Sequence, residues 1–203
     1  MVGADESRGI CFPRITEMAH RLLQQRIRPG DTVIDATAGN GYDTVFLADQ
    51  VGESGKVVAY DIQEKAIAAT RTRLINHGVL SRVTLYHASH AEINRLTKPV
   101  AAVIFNLGYL PGSSKETITH PSTTLQALQS AVELLQPGGI IVVVVYRGHE
   151  GGQHEAEAVE SYVRDLPFSD FLTLKYEYIN PAHFPPYILA VERKPGRHSK
   201  SPR

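Results

Sequence analysis

Residues 33–43 read VIDATAGNGYD, an apolar strand that ends in an acidic residue and runs into a glycine-rich turn. A helix-forming segment follows the turn, and the next apolar run, 56–60, ends in Asp61. A turn that contains Gly39 and Gly41 lets a ligand approach the backbone closely. An acidic residue at the end of the next strand can hold a ribose by its two hydroxyls. The pattern therefore predicts a nucleoside-binding site.

The chemistry of this turn favours S-adenosylmethionine over a dinucleotide. The dinucleotide fingerprint G-x-G-x-x-G has a third glycine, and Thr44 stands at that position here. Asp43 brings a negative charge to the helix start, where it would repel a pyrophosphate and suit the sulfonium and amino groups of S-adenosylmethionine. We expect Asp35 and Asp43 to face the methionine end of this cofactor and Asp61 to face its ribose. The simpler alternative is a helix N-cap at Asp43 in a plain tight turn.

Length and composition predict one ordinary globular domain. The chain has 203 residues, of which 42% are hydrophobic, and its 21 basic residues balance its 21 acidic ones. We expect this domain to cover residues 1–194 with an N-terminal helix, followed by a basic, disordered tail at 195–203. Zero net charge excludes a global basic field for nucleic acid and leaves room for a local patch.

The hydropathy pattern indicates a cytoplasmic protein. No apolar run reaches the ~18 residues that a membrane span needs, so no membrane partner is expected. The polar start, Met1 to Arg8, lacks the apolar segment of a secretory signal.

Nucleophilic and metal-ligating residues are sparse. Cys11 is the single cysteine, which excludes a disulfide framework and a Cys-rich metal site. It lies before the first predicted helix, so the thiolate nucleophile used in pyrimidine C5 methylation is missing. His149 and His154 are five residues apart and do not share a helix face, so no zinc motif is predicted. We expect direct methyl transfer to nitrogen or oxygen, without a metal.

Apolar strands alternate with helical segments, which predicts a parallel α/β sheet with helices on both faces. The predicted strands are 32–35, 57–61, 82–87, 100–105, 140–146, 173–178 and 187–192. The predicted helices are 14–26, 44–50, 64–76, 90–96, 125–135 and 152–164. No helix separates the last two strands, so we expect an antiparallel pair at one edge of a mostly parallel, seven-stranded sheet. This is the Class I, Rossmann-like arrangement of S-adenosylmethionine-dependent methyltransferases.

The carboxyl ends of the later strands carry further candidate site residues. The third strand ends in HASH, residues 87–90, where Ser89 can cap the next helix. His90 would stack on an adenine, act as a base, or lie at the surface. The fourth strand leads into Asn106, at the position of the Asn-Pro-Pro-Tyr turn of amino methyltransferases, where the Asn oxygen orients the acceptor nitrogen. An Asx turn in a plain loop is the alternative.

Two segments are expected on the acceptor side. One follows the fifth strand, and the other precedes the last strand. Tyr146, Arg147 and His149 follow the fifth strand and would line the acceptor pocket. The proline-rich run from Asn180 to Tyr187 would either stack on a nucleobase or simply turn the chain.

Five motifs together resemble one known family. They are DATAGNGYD (35–43), DIQ (61–63), HASH (87–90), NLGYLPG (106–112) and YRGHEG (146–151). The family is the one labelled "putative rRNA methylase", whose members act as tRNA 5-aminomethyl-2-thiouridine methyltransferases on the wobble uridine. The resemblance runs from about Ile15 to Arg193. It implies an enzyme that uses S-adenosylmethionine to convert the aminomethyl group to methylaminomethyl in the anticodon arm of tRNA.

The resemblance also implies residue roles. The expected cofactor-binding residues, which include those of the glycine turn, are Asp35, Gly39, Asn40, Gly41, Asp43, Asp61, Gln63, Ser89 and His90. The expected catalytic residues near the acceptor amine are Asn106, Tyr109, Tyr146 and His149, and the proton acceptor is one of His90, Tyr146 and His149. The chain departs from the family at Ser113-Ser114, where an acidic residue usually precedes the lysine, and in a longer turn at 180–186. Both departures lie on the acceptor side.

Other functions remain open at this stage. An rRNA or other RNA base N-methyltransferase would have the same fold and cofactor, and a small-molecule amine methyltransferase would fit the zero net charge. A non-catalytic S-adenosylmethionine sensor would bind the cofactor without turnover. For a tRNA substrate we expect a homodimer, because one neutral domain offers little surface for an anticodon arm.

Overall fold

The computed structural model describes residues 12–108, 121–148, 151–181 and 183–196. Its five helices within these ranges are α1 (Ile15–Gln24), α2 (Tyr42–Val51), α3 (Glu64–Asn76), α4 (Pro121–Leu134) and α5 (Gly152–Arg164). Its strands are β1 (Thr32–Asp35), β2 (Lys56–Asp61), β3 (Val83–His87), β4 (Val100–Leu107), β5 (Leu135–Val145), β6 (Phe171–Tyr176) and β7 (Tyr187–Arg193). Short 3₁₀ helices cover Leu80–Arg82 and His90–Arg95.

The strands form one sheet of order β3-β2-β1-β4-β5-β7-β6. All neighbouring pairs from β3 to β5 are parallel, while β7 runs antiparallel to both β5 and β6. The predicted fold class and its antiparallel edge pair are therefore confirmed. Because β1 to β5 are parallel, their carboxyl ends meet at one edge of the sheet, where ligands bind in such folds.

Helices cover both faces of the sheet. One buried cluster joins Leu23 of α1, Leu47 of α2 and Leu74 of α3 to one face. The other joins Leu128 of α4 and Val159 of α5 to the opposite face. The strands β4 and β5 supply buried side chains to both clusters, which is why their sequences are apolar without alternation.

The start of β5 differs from the sequence prediction. The sequence predicted a helix through residue 135, closed by Gln136-Pro137-Gly138-Gly139, and a strand that begins at Ile140. In the structure β5 already begins at Leu135, and the register with β4 shifts between the pairs Val100–Leu135 and Ala102–Ile140. The Pro-Gly-Gly run forms this irregularity because proline lacks a ladder N–H. A side chain at Gly139 would clash with β4, because its Cβ would lie 2.8 Å from the carbonyl oxygen of Ala101.

Some predictions fall on other parts of the chain. Cys11, Tyr109, His149 and the tail 197–203 lie outside the described residues. Within the described ranges, no helix is both long and apolar enough to cross a membrane.

Candidate cofactor and acceptor site

The glycine turn between β1 and α2 is held tightly against α3. Gly41 is the residue before α2 and has a φ of 81°, a conformation that side-chain-bearing residues rarely adopt. A Cβ at Gly41 would lie 2.9 Å from the Cα of Thr70. The Thr70 hydroxyl also donates a hydrogen bond to the carbonyl oxygen of Gly39 at 2.9 Å. These contacts fix the shape of the turn against α3.

Asp61 joins the glycine turn to the start of α3. Its Oδ2 accepts a hydrogen bond from the backbone N–H of Gly39 at 2.8 Å, and its Oδ1 accepts one from Gln63 at 2.9 Å. A carboxylate has about four lone-pair sites, so each oxygen can accept a second hydrogen bond. The geometry is therefore compatible with ribose binding, which stays a prediction for Asp61 and Gln63.

Asn40 and Tyr42 lie beside a cation that the sequence analysis did not single out. The Arg73 Nε–H donates to the carbonyl oxygen of Asn40 at 2.7 Å. The guanidinium carbon of Arg73 also lies 3.7 Å from the centre of the Tyr42 ring, a cation–π contact. Arg73 thus fixes the turn from α3. The predicted cofactor contact of Asn40 stays a prediction.

Asp35 is completely buried at the end of β1. Its Oδ2 accepts a hydrogen bond from Thr44 Oγ1 at 2.6 Å, and its Oδ1 accepts one from the backbone N–H of Thr37 at 3.1 Å. Burial, followed by the charge of Asp43, raises the pKa of Asp35 to about 7. The carboxyl group therefore binds the turn and the start of α2 to β1. Its contact with the methionine end stays a prediction.

Asp43 connects three elements of the fold. It is the second residue of α2, and the residue before the helix is Gly41, so the alternative that Asp43 is the N-cap is wrong. Its Oδ1 lies 2.6 Å from Nε2 of His20 in α1. Its Oδ2 accepts a hydrogen bond from the side-chain amide of Asn106 in β4. Asp43 can do this because its position at the start of α2 directs the side chain toward the carboxyl end of β4.

Asn106 is held by two bonds at the end of β4. Its backbone N–H donates to the Thr37 hydroxyl at 2.7 Å, and its Nδ2 donates to Asp43. Within the described residues, the side-chain oxygen of Asn106 accepts no hydrogen bond. Asn106 as a whole is partly exposed, and an amide oxygen can accept two hydrogen bonds.

Tyr146 lies beside the same carboxylate. It directly follows β5 and keeps 36% of its surface exposed. Desolvation, followed by the charge of Asp43, raises its pKa above the ordinary value. Tyr146 is therefore a neutral phenol at neutral pH and can donate a hydrogen bond at this point of the site.

The turn after β3 combines a helix cap with a buried histidine. Ser89 Oγ accepts a hydrogen bond from the backbone N–H of Ala91 at 3.2 Å, which confirms its capping role. His90 is only 8% exposed, so the alternative of a surface histidine is wrong. Burial lowers the pKa of His90 to about 4, although a hydrogen bond with the backbone of Ala36 acts against this. Its ring packs edge-on against Phe105 at 6.1 Å between centres.

The polar groups around the glycine turn fit S-adenosylmethionine. The buried Nε2 of His90 has no hydrogen-bond partner among the described residues, and such a nitrogen is one that a bound ligand can satisfy. Asp43 and Asp61 place two carboxylates around the glycine turn, as a cationic nucleoside requires and a pyrophosphate does not. Binding by Ser89 and His90 stays a prediction.

Arg147, two residues after β5, is held by an ion pair and two aromatic rings. Its Nη2 donates to Glu177 Oε1 at 2.6 Å. Its guanidinium carbon lies 4.7 Å from the ring centre of Tyr187 and 5.6 Å from that of Phe184. Phe184 is 73% exposed, so its ring is open to a partner. Among the described residues, no group of His, Cys, Asp and Glu is arranged to hold a metal ion.

Comparison with known proteins identifies the family of the chain. A sequence profile described as "Putative rRNA methylase" matches residues 57–192, more than half of the chain. The chain belongs to the rRNA methylase family. Its family and its fold are those of S-adenosylmethionine-dependent methyltransferases.

Individual relatives cover most of the chain. A curated protein of Arabidopsis thaliana, named tRNA (mnm(5)s(2)U34)-methyltransferase, chloroplastic, is 42% identical over 89% of this chain and 70% of its own length. The crystal structure of a "putative rRNA-methylase" from Clostridium thermocellum is 41% identical with a TM-score of 0.88, over 91% of this chain and 100% of that one. A "putative methyltransferase" of Streptococcus mutans, solved with SAH, is 38% identical with a TM-score of 0.83, over 90% of this chain and 99% of that one.

Two residues of the site escaped sequence analysis. Arg73 and His20 contact residues 33 and 23 positions away in the chain, so no local pattern marks them. A weak signal existed for His20, which borders the apolar face that contains Ala19 and Leu23. A polar residue at the border of a buried helix face is placed to reach a neighbouring element.

Proposed function

We propose that this protein transfers the methyl group of S-adenosylmethionine to the primary amine of 5-aminomethyl-2-thiouridine at the wobble position of tRNA. The 42% identity to the Arabidopsis protein of that name supports the substrate. The observation that carries the chemistry is the pairing of Asn106 with Asp43. It leaves an amide oxygen available at the edge where the acceptor would enter.

The charge of this site suits an amine. A primary alkylamine resembles a lysine side chain, whose pKa is about 10.4, so it arrives mostly as a cation. The carboxylate of Asp43 attracts that cation. The Asn106 oxygen then accepts one of its N–H groups and orients the nitrogen. A ring nitrogen of a nucleobase, which is neutral, would gain less from Asp43.

Holding the nitrogen in line accounts for most of the expected rate. The cofactor supplies a methyl group activated by the adjacent sulfonium. Asn106 fixes the direction of the nitrogen lone pair, and Tyr146 donates a hydrogen bond that narrows the remaining freedom. The Gly39–Gly41 turn and Asp61 hold the nucleoside half of the cofactor. The methyl donor and the amine are therefore both oriented by groups attached to rigid backbone.

The amine must lose a proton before or during transfer. Tyr146 is protonated at neutral pH and His90 has a lowered pKa, so both are poor acceptors. A carboxylate is as weak a base as His90 is here, so Asp43 attracts the cationic amine beside Asn106 and the proton passes to solvent. His149, the third candidate, lies outside the described residues.

The RNA partner is proposed to be the anticodon arm. Exposed aromatic rings stack on splayed nucleobases, and Phe184 beside Arg147 offers such a surface. We propose a homodimer that extends this surface. We also propose a cytoplasmic location, in contrast to the chloroplastic name of the Arabidopsis relative.

Methyl transfer to separated RNA pools tests the proposal. Labelled S-adenosylmethionine would be incubated with tRNA, rRNA and small metabolites from cells that lack this protein, and products would be identified by nucleoside mass spectrometry. We expect label in tRNA as methylaminomethyl-2-thiouridine, with loss of the aminomethyl precursor. Label in rRNA alone would overturn the amine acceptor, and cofactor binding without label in any pool would indicate a sensor.

A further inference from the structure

We propose that His20 is a positioning residue for the methyl acceptor and acts through Asp43 on Asn106. The inference rests on the amine methylation proposed above. His20 lies in α1, a helix outside the alternating strand–helix units that build the cofactor site. It adds a residue to the acceptor side that none of the sequence motifs contains.

Three side chains form a continuous chain of hydrogen bonds. Because a carboxylate only accepts, the His20 Nε2–H donates to Asp43 Oδ1, at 2.6 Å. Asp43 Oδ2 in turn accepts from Asn106 Nδ2. The side chains of His20 and Asp43 are 31% and 20% exposed, so the pair is shielded from most of the solvent.

The orientation of His20 is fixed by a second contact. Its ring stacks on Phe46 of α2 with ring centres 3.9 Å apart and an angle of 1° between the planes. Phe46 and Asp43 are in the same helix, so the ring is packed and hydrogen-bonded by one rigid element. The donor nitrogen therefore has a fixed direction, as a positioning residue requires.

The consequence for Asn106 follows from the two ends of its amide. An amide presents an oxygen that accepts and an NH₂ group that donates, and its partners decide which faces a ligand. Asp43 accepts from the NH₂ end and thereby turns the oxygen toward the acceptor. If Asp43 rotated away, the amide could turn over and present its NH₂ group to the amine. The bond from His20 prevents that rotation because it occupies the other carboxylate oxygen.

Loss of His20 should leave α1 in place. Its buried residues Ile15, Ala19 and Leu23 pack into the core. The chain just before the helix is also held, because the Tyr178 hydroxyl donates to the carbonyl oxygen of Pro13 at 2.6 Å. The role of His20 can therefore be tested in a folded protein.

The test compares His20→Leu with His20→Gln in single-turnover methyl transfer at saturating cofactor and tRNA. Leucine fills similar space without a donor, whereas glutamine supplies an N–H near the position of Nε2. We expect His20→Leu to lower the rate about tenfold or more, the effect of losing a hydrogen bond to a charged group. Affinity for S-adenosylmethionine should stay within about twofold, and His20→Gln should recover most of the rate. His77→Leu, in the exposed C-cap of α3, is the matched control.

Two further measurements separate positioning from structure. The side-chain ¹⁵N–¹H signals of Asn106 should change in His20→Leu and return in His20→Gln, with no need for substrate. Adding Asp43→Ala to His20→Leu should slow transfer no further than Asp43→Ala alone, since coupled residues are not additive. A normal rate in His20→Leu, or a loss that parallels lost melting temperature and cofactor affinity, would overturn the proposal. If the wild-type protein transfers no methyl group to aminomethyl-tRNA, the proposed function and this inference are both overturned. If the wild type is active and His20→Leu has the same rate, only the inference is overturned.

Discussion

The side-chain amide of Asn106 donates a hydrogen bond to Asp43, so a residue predicted for the acceptor side is held by one predicted for the cofactor side. The bond crosses from β4 to the first turn of α2. It makes the orientation of the Asn106 amide depend on the same turn that contains Gly39 and Gly41. Changes at Asn106 and at Asp61 should therefore separate catalysis from binding more cleanly than changes at Asp43.

Asn106→Ala should lower the methyl-transfer rate about 100-fold, the typical effect of removing one preorganised polar contact from a site. Cofactor affinity should change little if Asn106 has the proposed role, which is to bind the acceptor and not the nucleoside. Single-turnover kinetics and calorimetric titration with S-adenosylmethionine measure the two effects. Loss of cofactor binding in Asn106→Ala would contradict the assignment. Asn76→Ala, at the last residue of α3, is the control for an exposed asparagine.

Asp61→Ala should weaken S-adenosylmethionine binding about tenfold or more, because it removes an acceptor for the ribose and frees the Gly39 turn. Asp61→Asn keeps one oxygen for a backbone N–H and should lie between wild type and alanine. Titration calorimetry gives the affinities, and melting curves report how much of the loss comes from the turn. Wild-type affinity in a stable Asp61→Ala protein would remove Asp61 from the ribose role.

Asp35 should make stability fall as pH rises. Its pKa is raised in the folded protein, so the folded state keeps a proton that the unfolded state has already lost. The stabilising contribution is complete below the ordinary pKa of 3.8 and disappears as the pH approaches about 7. Asp35→Asn cannot ionise, so its free energy of unfolding should decline less than that of wild type across this range. Denaturant unfolding at several pH values measures the difference.

The control for this comparison is Asp49→Asn, at an exposed position of α2. Its pH profile should run parallel to that of the wild type. A parallel profile for Asp35→Asn as well would show that the buried carboxyl does not hold its proton in the folded state.

The sequence was sufficient where structure depends on local pattern. The bounds of α3 and α5 agree with prediction, and the end of α3 is marked locally by His77 and Gly78. The parallel sheet followed from the alternation of strands and helices, and the antiparallel edge pair followed from the missing helix between the last two strands. The predicted start of β5 was wrong because Pro-Gly-Gly usually closes a helix, whereas here Leu135 already pairs with β4 before this run and the pairing resumes at Ile140.

Contacts between distant residues were beyond the sequence. Nothing near His20 indicates that its ring meets Asp43, and nothing near Arg73 indicates Asn40. The burial of His90 was equally hidden, because it depends on how its 3₁₀ helix packs against Phe105. The motifs therefore predicted which residues gather at the carboxyl ends of the strands, while the structure showed which of these side chains hold each other.

Phe184→Ala should weaken the interaction with RNA and leave the cofactor site intact. We expect the KM for tRNA to rise about tenfold, since stacking of one base on an aromatic ring contributes about 1–3 kcal/mol. The rate at saturating tRNA and the affinity for S-adenosylmethionine should stay near wild type, because Phe184 contacts Arg147 and not the glycine turn. Phe168→Ala is the matched control. Phe168 is 75% exposed and also packs against a cation, Lys194. It precedes β6, however, and so lies at the opposite end of the strands from Phe184. Equal effects of the two variants would show that Phe184 has no specific part in RNA binding.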